Sequence, residues 1–167
     1  YLGQNPQSVF EKVKTELKEI VKKLQNEGIE IWVRPETMGK QTQFGSLDEI
    51  LEMCTHIENV LPCIDFSHLH ARANGKFNSF EEFCSVLALV EKKLGKEGLS
   101  NMHIHAQGVE YNEKGERRHL PFDQADLKYI ELVKAFKEFK LKGVVICESP
   151  LVEEDTLKLA QAYHTIK

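Results

Sequence analysis

Pro62-Cys63-Ile64-Asp65-Phe66-Ser67-His68-Leu69-His70 is the stretch whose reading decides the fold. The apolar run 60–66 predicts a buried strand. It ends in an acid, with a histidine three residues further on. An unpaired buried charge is costly, so a buried strand that ends in ionisable groups calls for a reason. Asp and His are both good ligands for zinc, manganese or iron. The plainer alternative is that Asp65 caps the next turn while His68 and His70 are solvated loop residues.

Repetition weighs against the plainer alternative. Residues 29–35 form a second strand candidate that runs into Glu36. Residues 101–105 form a third and carry His103 and His105, which alternation along a strand puts on one face. Residues 143–147 form a fourth and run into Glu148. Each is followed by a helical pattern. Parallel strands joined by helices bring their C-terminal ends to one side of the sheet. The acids and imidazoles of four strands therefore meet at one rim. The predicted fold is α/β, with parallel (β/α) units forming about half of a (β/α)8 TIM barrel, whose sites lie at that rim. A small open four-stranded sheet is the alternative, but it would place ligands at a switch point and not at every strand end.

The 167 residues suffice for one domain with a real core. A hydrophobic content of 41% with 29% charged residues is that of an ordinary globular chain and not of a disordered or membrane one. No apolar run is long enough to span a bilayer, so no membrane partner is expected. Cys54, Cys63, Cys84 and Cys147 show no CxxC spacing, which suits reduced thiols and a cytoplasmic location. The net charge of −4 argues mildly against a general nucleic-acid binder, but bound cations would change the local balance.

In order, Asn5-Pro6 starts a helix to about residue 26, and a polar Gly-bounded loop spans 37–45. Ser46 with Glu49, and Ser79 with Glu82, read as capping boxes of two further helices. The long segment 106–122 holds a hairpin around Glu113-Lys114-Gly115. Asp123 with Asp126 opens a helix through Phe139, and a last helix ends near Ile166. A half barrel leaves two sheet edges open. Residues 1–167 are therefore expected to be the C-terminal portion of a single barrel domain. The missing N-terminal half, or a second copy of the chain, would then be its partner.

At these residues the chain resembles the endonuclease IV family of apurinic/apyrimidinic endonucleases, archaeal-type members above all, within the xylose-isomerase-like barrels. The matching stretches are Leu2-Gly3, Pro35-Glu36-Thr37-Met38-Gly39-Lys40, Ile64-Asp65-Phe66-Ser67-His68, Met102-His103-Ile104-His105, Arg118-His119 and Cys147-Glu148-Ser149-Pro150. The resemblance implies hydrolysis of the DNA phosphodiester 5′ to abasic sites by a cluster of up to three zinc ions, with manganese as the alternative metal. It implies that Glu36 bridges two metals, that Asp65, His103 and Glu148 complete one shell, and that His68 and His119 hold the third ion. A slip in register would make His105 the ligand and His103 its neighbour. Arg117 stands where the family has an Asp ligand, so that role is lost or passes to Glu116. Two family His ligands fall before Tyr1, so the fragment alone is expected to bind fewer ions and to be inactive.

The residue types suit metal-assisted phosphodiester cleavage, with Glu36 and Glu148 at the reacting centre. Arg72, Arg117 and Arg118 lie in rim loops, where guanidinium groups could clamp the phosphates of abasic DNA. A metal-dependent sugar isomerase or epimerase on the same barrel is the rival, since fold does not settle function. A one-metal sugar enzyme has no evident need of His68, His119 and the Arg pair.

Overall fold

A computed structural model describes residues 1–166. In chain order its elements are α1 (Pro6–Asn26), α2 (Leu47–His56), β1 (Cys63–Asp65), α3 (Phe66–Arg72), α4 (Phe80–Ser100), β2 (Met102–His105), β3 (Gly108–Asn112), β4 (Gly115–Leu120), a 3-10 turn (Phe122–Gln124), α5 (Tyr129–Glu138), β5 (Gly143–Ile146) and α6 (Glu153–Thr165). β1, β2 and β5 form a parallel sheet in that order, while β3 and β4 form a separate antiparallel hairpin.

Ile64, Met102 and Ile104 point to one face of the sheet, where they are buried with Phe83, Leu87, Leu132, Val133 and Phe136 of the helices. Alternation sends Cys63, Asp65, His103 and His105 to the opposite face, with Cys63 beside His103 and Asp65 beside His105. A second core lies under α1, where Phe10, Leu17 and Val21 pack with Ile50, Met53, Ile57 and Val60. The caps of α1, α2 and α4 form: Asn5 accepts from Ser8 N at 3.2 Å, Ser46 from Glu49 N at 3.3 Å and Ser79 from Glu82 N at 3.3 Å; the expected box closes at Ser46, where Glu49 accepts from Ser46 N, whereas Glu82 accepts from Asn78 N at 2.9 Å.

The strand expected over 29–35 is only partly realised. It runs parallel to β1, but pairs at two isolated bridges, Val33 with Val60 and Glu36 with Cys63. Pro35 accepts from Cys63 N at 2.9 Å but has no N–H to return, so the ladder skips a rung. The extended segment still delivers Glu36 to the rim. The helix expected from Asp123 also differs. Asp123 lies in the 3-10 turn, Asp126 lies beyond it, and α5 begins only at Tyr129. Asp126 is taken by tertiary partners instead: His70 Nε2 at 3.0 Å and the Tyr111 hydroxyl, which donates at 2.7 Å.

The sheet does not close. Val144, Val145 and Ile146 on one edge, and Ile31 and Trp32 on the other, are exposed. The architecture is thus part of a barrel, with both edges open.

Candidate metal centre

Asp65 ends β1 and also caps α3, accepting from His68 N at 2.7 Å. Capping does not leave the histidines in solvent: His68 is 6% exposed and His70 is fully buried. Asp65 itself is fully buried. The Gln107 side-chain amide donates to it at 2.8 Å, and Thr37 Oγ1 accepts from its backbone N–H at 2.9 Å. Burial raises the Asp65 pKa, against the opposing pull of His68.

Glu36, Asp65, His105 and Glu148 bring their ligand atoms to within 4.8 Å of one another. His105 Nδ1 lies 3.2 Å from Glu36, 3.6 Å from Glu148 and 4.0 Å from Asp65. Glu148 follows β5 on a turn fixed from below. Asp155, fully buried, accepts from Ser149 Oγ at 2.5 Å and from Phe122 N at 2.9 Å.

His68, Glu116 and His119 form a second group on the same criterion. Both imidazoles are held alike. His68 Nδ1 is 2.8 Å from the Thr37 carbonyl and His119 Nδ1 is 2.9 Å from the Glu148 carbonyl. Each Nδ1 therefore donates, and each Nε2 faces the Glu116 carboxylate, at 3.3 Å and 3.5 Å. Glu116 and His119 stand three apart on β4, a separation that ordinarily puts side chains on opposite faces. The hairpin register jumps at this point: Glu110 pairs with Arg118 but Tyr111 pairs with Glu116. Arg117 is the extra residue of a bulge, and the bulge turns Glu116 to the side of His119. Gly39 makes room, since a Cβ there would sit 2.6 Å from the Glu116 carboxylate.

The two groups touch. Glu36 Oε1 is 3.3 Å from His68 Nδ1 and 3.2 Å from His105 Nδ1. The bond to His68 holds the Glu36 pKa below its ordinary value, despite burial. Glu116 is held far down by His119 and His68. For His68, burial disfavours the charged form, but Glu116, Glu36 and Asp65 outweigh it and raise the pKa to about 11. The His68 imidazolium therefore serves as the counter-ion of these acids. Such crowding of carboxylates around imidazoles whose Nδ1 is held by a carbonyl fits a divalent cation in each group, once His68 gives up its second proton.

Of the expected ligands, Glu36, Asp65 and Glu148 come together with His105, and His68 with His119. His103 falls outside both groups and lies with Cys63 and His105 in a third. Glu116, raised in the sequence only as a substitute for the lost Asp, completes the second group with His68 and His119. Thr37 and Gln107 hold the ligands in place. Arg72, expected to clamp phosphates, ends α3 and turns its guanidinium onto backbone carbonyls. Its guanidinium donates to the carbonyls of Met38 at 3.2 Å, Gln43 at 3.1 Å and Lys40, which clamps the loop beside the site. Arg117 and Arg118 are exposed and pair with Glu110 at 3.0 and 2.5 Å. Beside them, Lys40, Gln41, Lys114, Glu116 and Arg117 line an open cleft of about 690 Å³. A separate hollow of about 450 Å³ between β5, α5 and α6 is mostly apolar and holds none of these ligands.

Residues 1–164 match the family described as xylose isomerase-like TIM barrel. The chain belongs to that family. An uncharacterised protein of Methanocaldococcus jannaschii is 43% identical over 166 residues, covering 99% of this chain and 60% of the relative. A Bacillus subtilis protein named "Probable endonuclease 4" is 26% identical over 161 residues, covering 93% of this chain and 52% of the relative. The apo crystal structure of 3-keto-D-glucoside 4-epimerase from E. coli superposes with a TM-score of 0.62 over 95% of this chain and 56% of that one, at 12% identity. This last likeness shows the fold alone. The chain spans little more than half the length of these proteins. No helix among the described residues is long and apolar enough to cross a membrane.

Proposed function

We propose that this chain carries the larger part of a metal-dependent phosphodiesterase centre that cleaves DNA 5′ to abasic sites. The observation that carries the reading is the second ligand group, His68–Glu116–His119, joined to the first through Glu36. A one-metal sugar enzyme needs only the first. The similarity to the endonuclease 4 relative points the same way. On this reading Glu36, Asp65, His105 and Glu148 hold one cation and His68, Glu116 and His119 another, zinc or manganese by donor type. Cations so held supply the charge that offsets developing negative charge on phosphate oxygens and make water a better nucleophile at neutral pH.

The chain's own residues do the rest. Thr37 and Glu148 carbonyls fix the tautomers that leave His68 and His119 Nε2 free to ligate. Glu148, whose side chain is 38% exposed, is the most open acid of its group and is placed to take a proton from an incoming water. Lys40, Lys114 and Arg117 line the cleft beside Glu116, where a phosphate would lie. We further take the open strand edges to be covered by the rest of a barrel, in the same chain or a second copy.

The test is incision of a duplex bearing one abasic site, with zinc or manganese, a chelator control, and the Glu36→Gln and Glu116→Gln variants in the full-length protein. Metal-dependent cutting 5′ to the lesion, lost in both variants, is expected. Intact activity in Glu116→Gln would overturn the two-group reading. Turnover of a sugar by a protein that leaves the duplex uncut would favour the isomerase or epimerase alternative, for which Glu36, Asp65, His105 and Glu148 alone form a one-metal set.

A further inference from the structure

Cys63, His103 and His105 place their ligand atoms within 4.8 Å of one another, one step down the strands from the acidic group. We infer that these three residues form an inner site for a thiophilic divalent cation such as zinc, distinct from the acidic group and sharing only His105 with it. The donor set is one thiol and two imidazoles, which suits zinc or cobalt and is poor for magnesium or calcium.

Three observations support it. Cys63 is 3% exposed and faces the barrel interior, not the helical core, so packing against the helices does not account for it. The His103 ring stands 5.3 Å from that of His105, edge to face, and its nitrogens have no hydrogen-bond partner among the described residues. A lone pair is therefore free. Arg34 is anchored nearby, donating to the Asn101 carbonyl at 2.8 Å and its side-chain oxygen at 2.7 Å, and its charge bears on both Cys63 and His103. It would offset the thiolate formed on binding.

The rival role for Cys63, a reactive nucleophile, does not fit. At 3% exposure the thiol is closed off from a substrate, whereas a nucleophilic cysteine is partly exposed. Coordination replaces the S–H bond by a metal–sulfur bond and releases the proton to water.

The test is a cobalt(II) titration of the metal-free full-length protein, read in the near ultraviolet, where a thiolate ligand gives a charge-transfer band. The band is expected in the wild type and in Glu36→Gln, and is expected to be absent in Cys63→Ser. In His103→Ala, which keeps every thiol, it should need at least about tenfold more cobalt. Circular dichroism of each variant establishes that it is folded. No band in the wild type, a band that survives Cys63→Ser through another thiol, or an unchanged titration in His103→Ala would each overturn the proposal. Because Glu36→Gln removes the hydrolytic reading and keeps the band, the two can fail separately.

Discussion

Adding zinc to the metal-free protein at pH 7 should release about one proton from His68 for each ion taken by the His68–Glu116–His119 group. His68 Nε2 lies 3.3 Å from Glu116, and Nδ1 lies 3.3 Å from Glu36 and 3.4 Å from Asp65. One unit charge at that distance is worth about 5 kcal/mol at an effective dielectric constant of ~20. Burying the imidazolium costs several kcal/mol, but three acids act on it together. The net effect raises the His68 pKa to about 11. At pH 7 the ring is then charged in nearly every molecule. A ligating imidazole must be neutral, so metal uptake has to expel this proton. Calorimetric titrations in two buffers of unlike ionisation heat count the protons released. In the metal-free protein the His68 ring resonances should still be those of the imidazolium at pH 8.5. Glu116→Gln, which removes one of the three charges, should lower that titration. A wild-type ring that titrates near pH 6.5, or uptake at pH 7 without proton release, would refute the counter-ion argument.

The same shifts give a sign for stability. The raised His68 pKa contributes fully below about pH 6.5 and is lost as pH rises toward about 11, whereas the depressed Glu36 and Glu116 contribute above about pH 4.5 and are lost on acidification. Urea unfolding of the metal-free protein should therefore show this contribution at its largest between those limits and weaker at pH 9. Arg72→Ala, which frees the carbonyls of Met38, Lys40 and Gln43, should cost about 2 kcal/mol and open loop 38–45 to proteases. A variant that weakens DNA binding with no such loss would show that Arg72 faces the duplex after all. Asp155→Ala strips Ser149 Oγ and Phe122 N of a buried acceptor and should destabilise by about 3 kcal/mol, measured by thermal melting. In Arg117→Ala, the slope of log affinity for abasic DNA against log salt should fall by about one, and an unchanged slope would remove Arg117 from the DNA surface.

The parts of this molecule that were legible in the sequence are those governed by local rules. Capping by Asn5, Ser46 and Ser79 needs only neighbours in the chain. The convergence of strand ends follows from parallel topology, so the meeting of Glu36, Asp65 and Glu148 is legible in the sequence. What was hidden depends on partners remote in sequence. Glu116 is out of phase with His119 until a bulge at Arg117 corrects it, and no composition cue marks that bulge. Asp126 reads as a helix start but is drawn to His70 and Tyr111. Arg72 sits on a rim as expected, yet the nearest acceptors are carbonyls of the loop 38–45, some thirty residues away in sequence. His103 and His105 share a face, and alternation alone does not say which reaches the acids. Depth along the strand decides it: His105 is level with Asp65, while His103 is level with Cys63.

That difference in depth makes the three ligand groups one system. His105 belongs to the acidic and the thiol groups, and Glu36 bridges His105 and His68. An ion held by the acidic group, as proposed above, would withdraw Glu36 and Asp65 from His68, lower the His68 pKa and ease the loss of its proton to water when a second ion binds. On the proposed reading, occupation of one group would favour the other through the proton already displaced, with Glu36 between the two ions offsetting their mutual repulsion and without any change of fold. An ion bound by Cys63 and His103 has the opposite effect where it competes for His105. Zinc titrations of wild type and Cys63→Ser separate these couplings. Positive cooperativity should appear in both, and it should strengthen in the variant, because the competing ligand has gone. Independent, equal sites in the wild type would show that Glu36 and His68 are neighbours without being coupled.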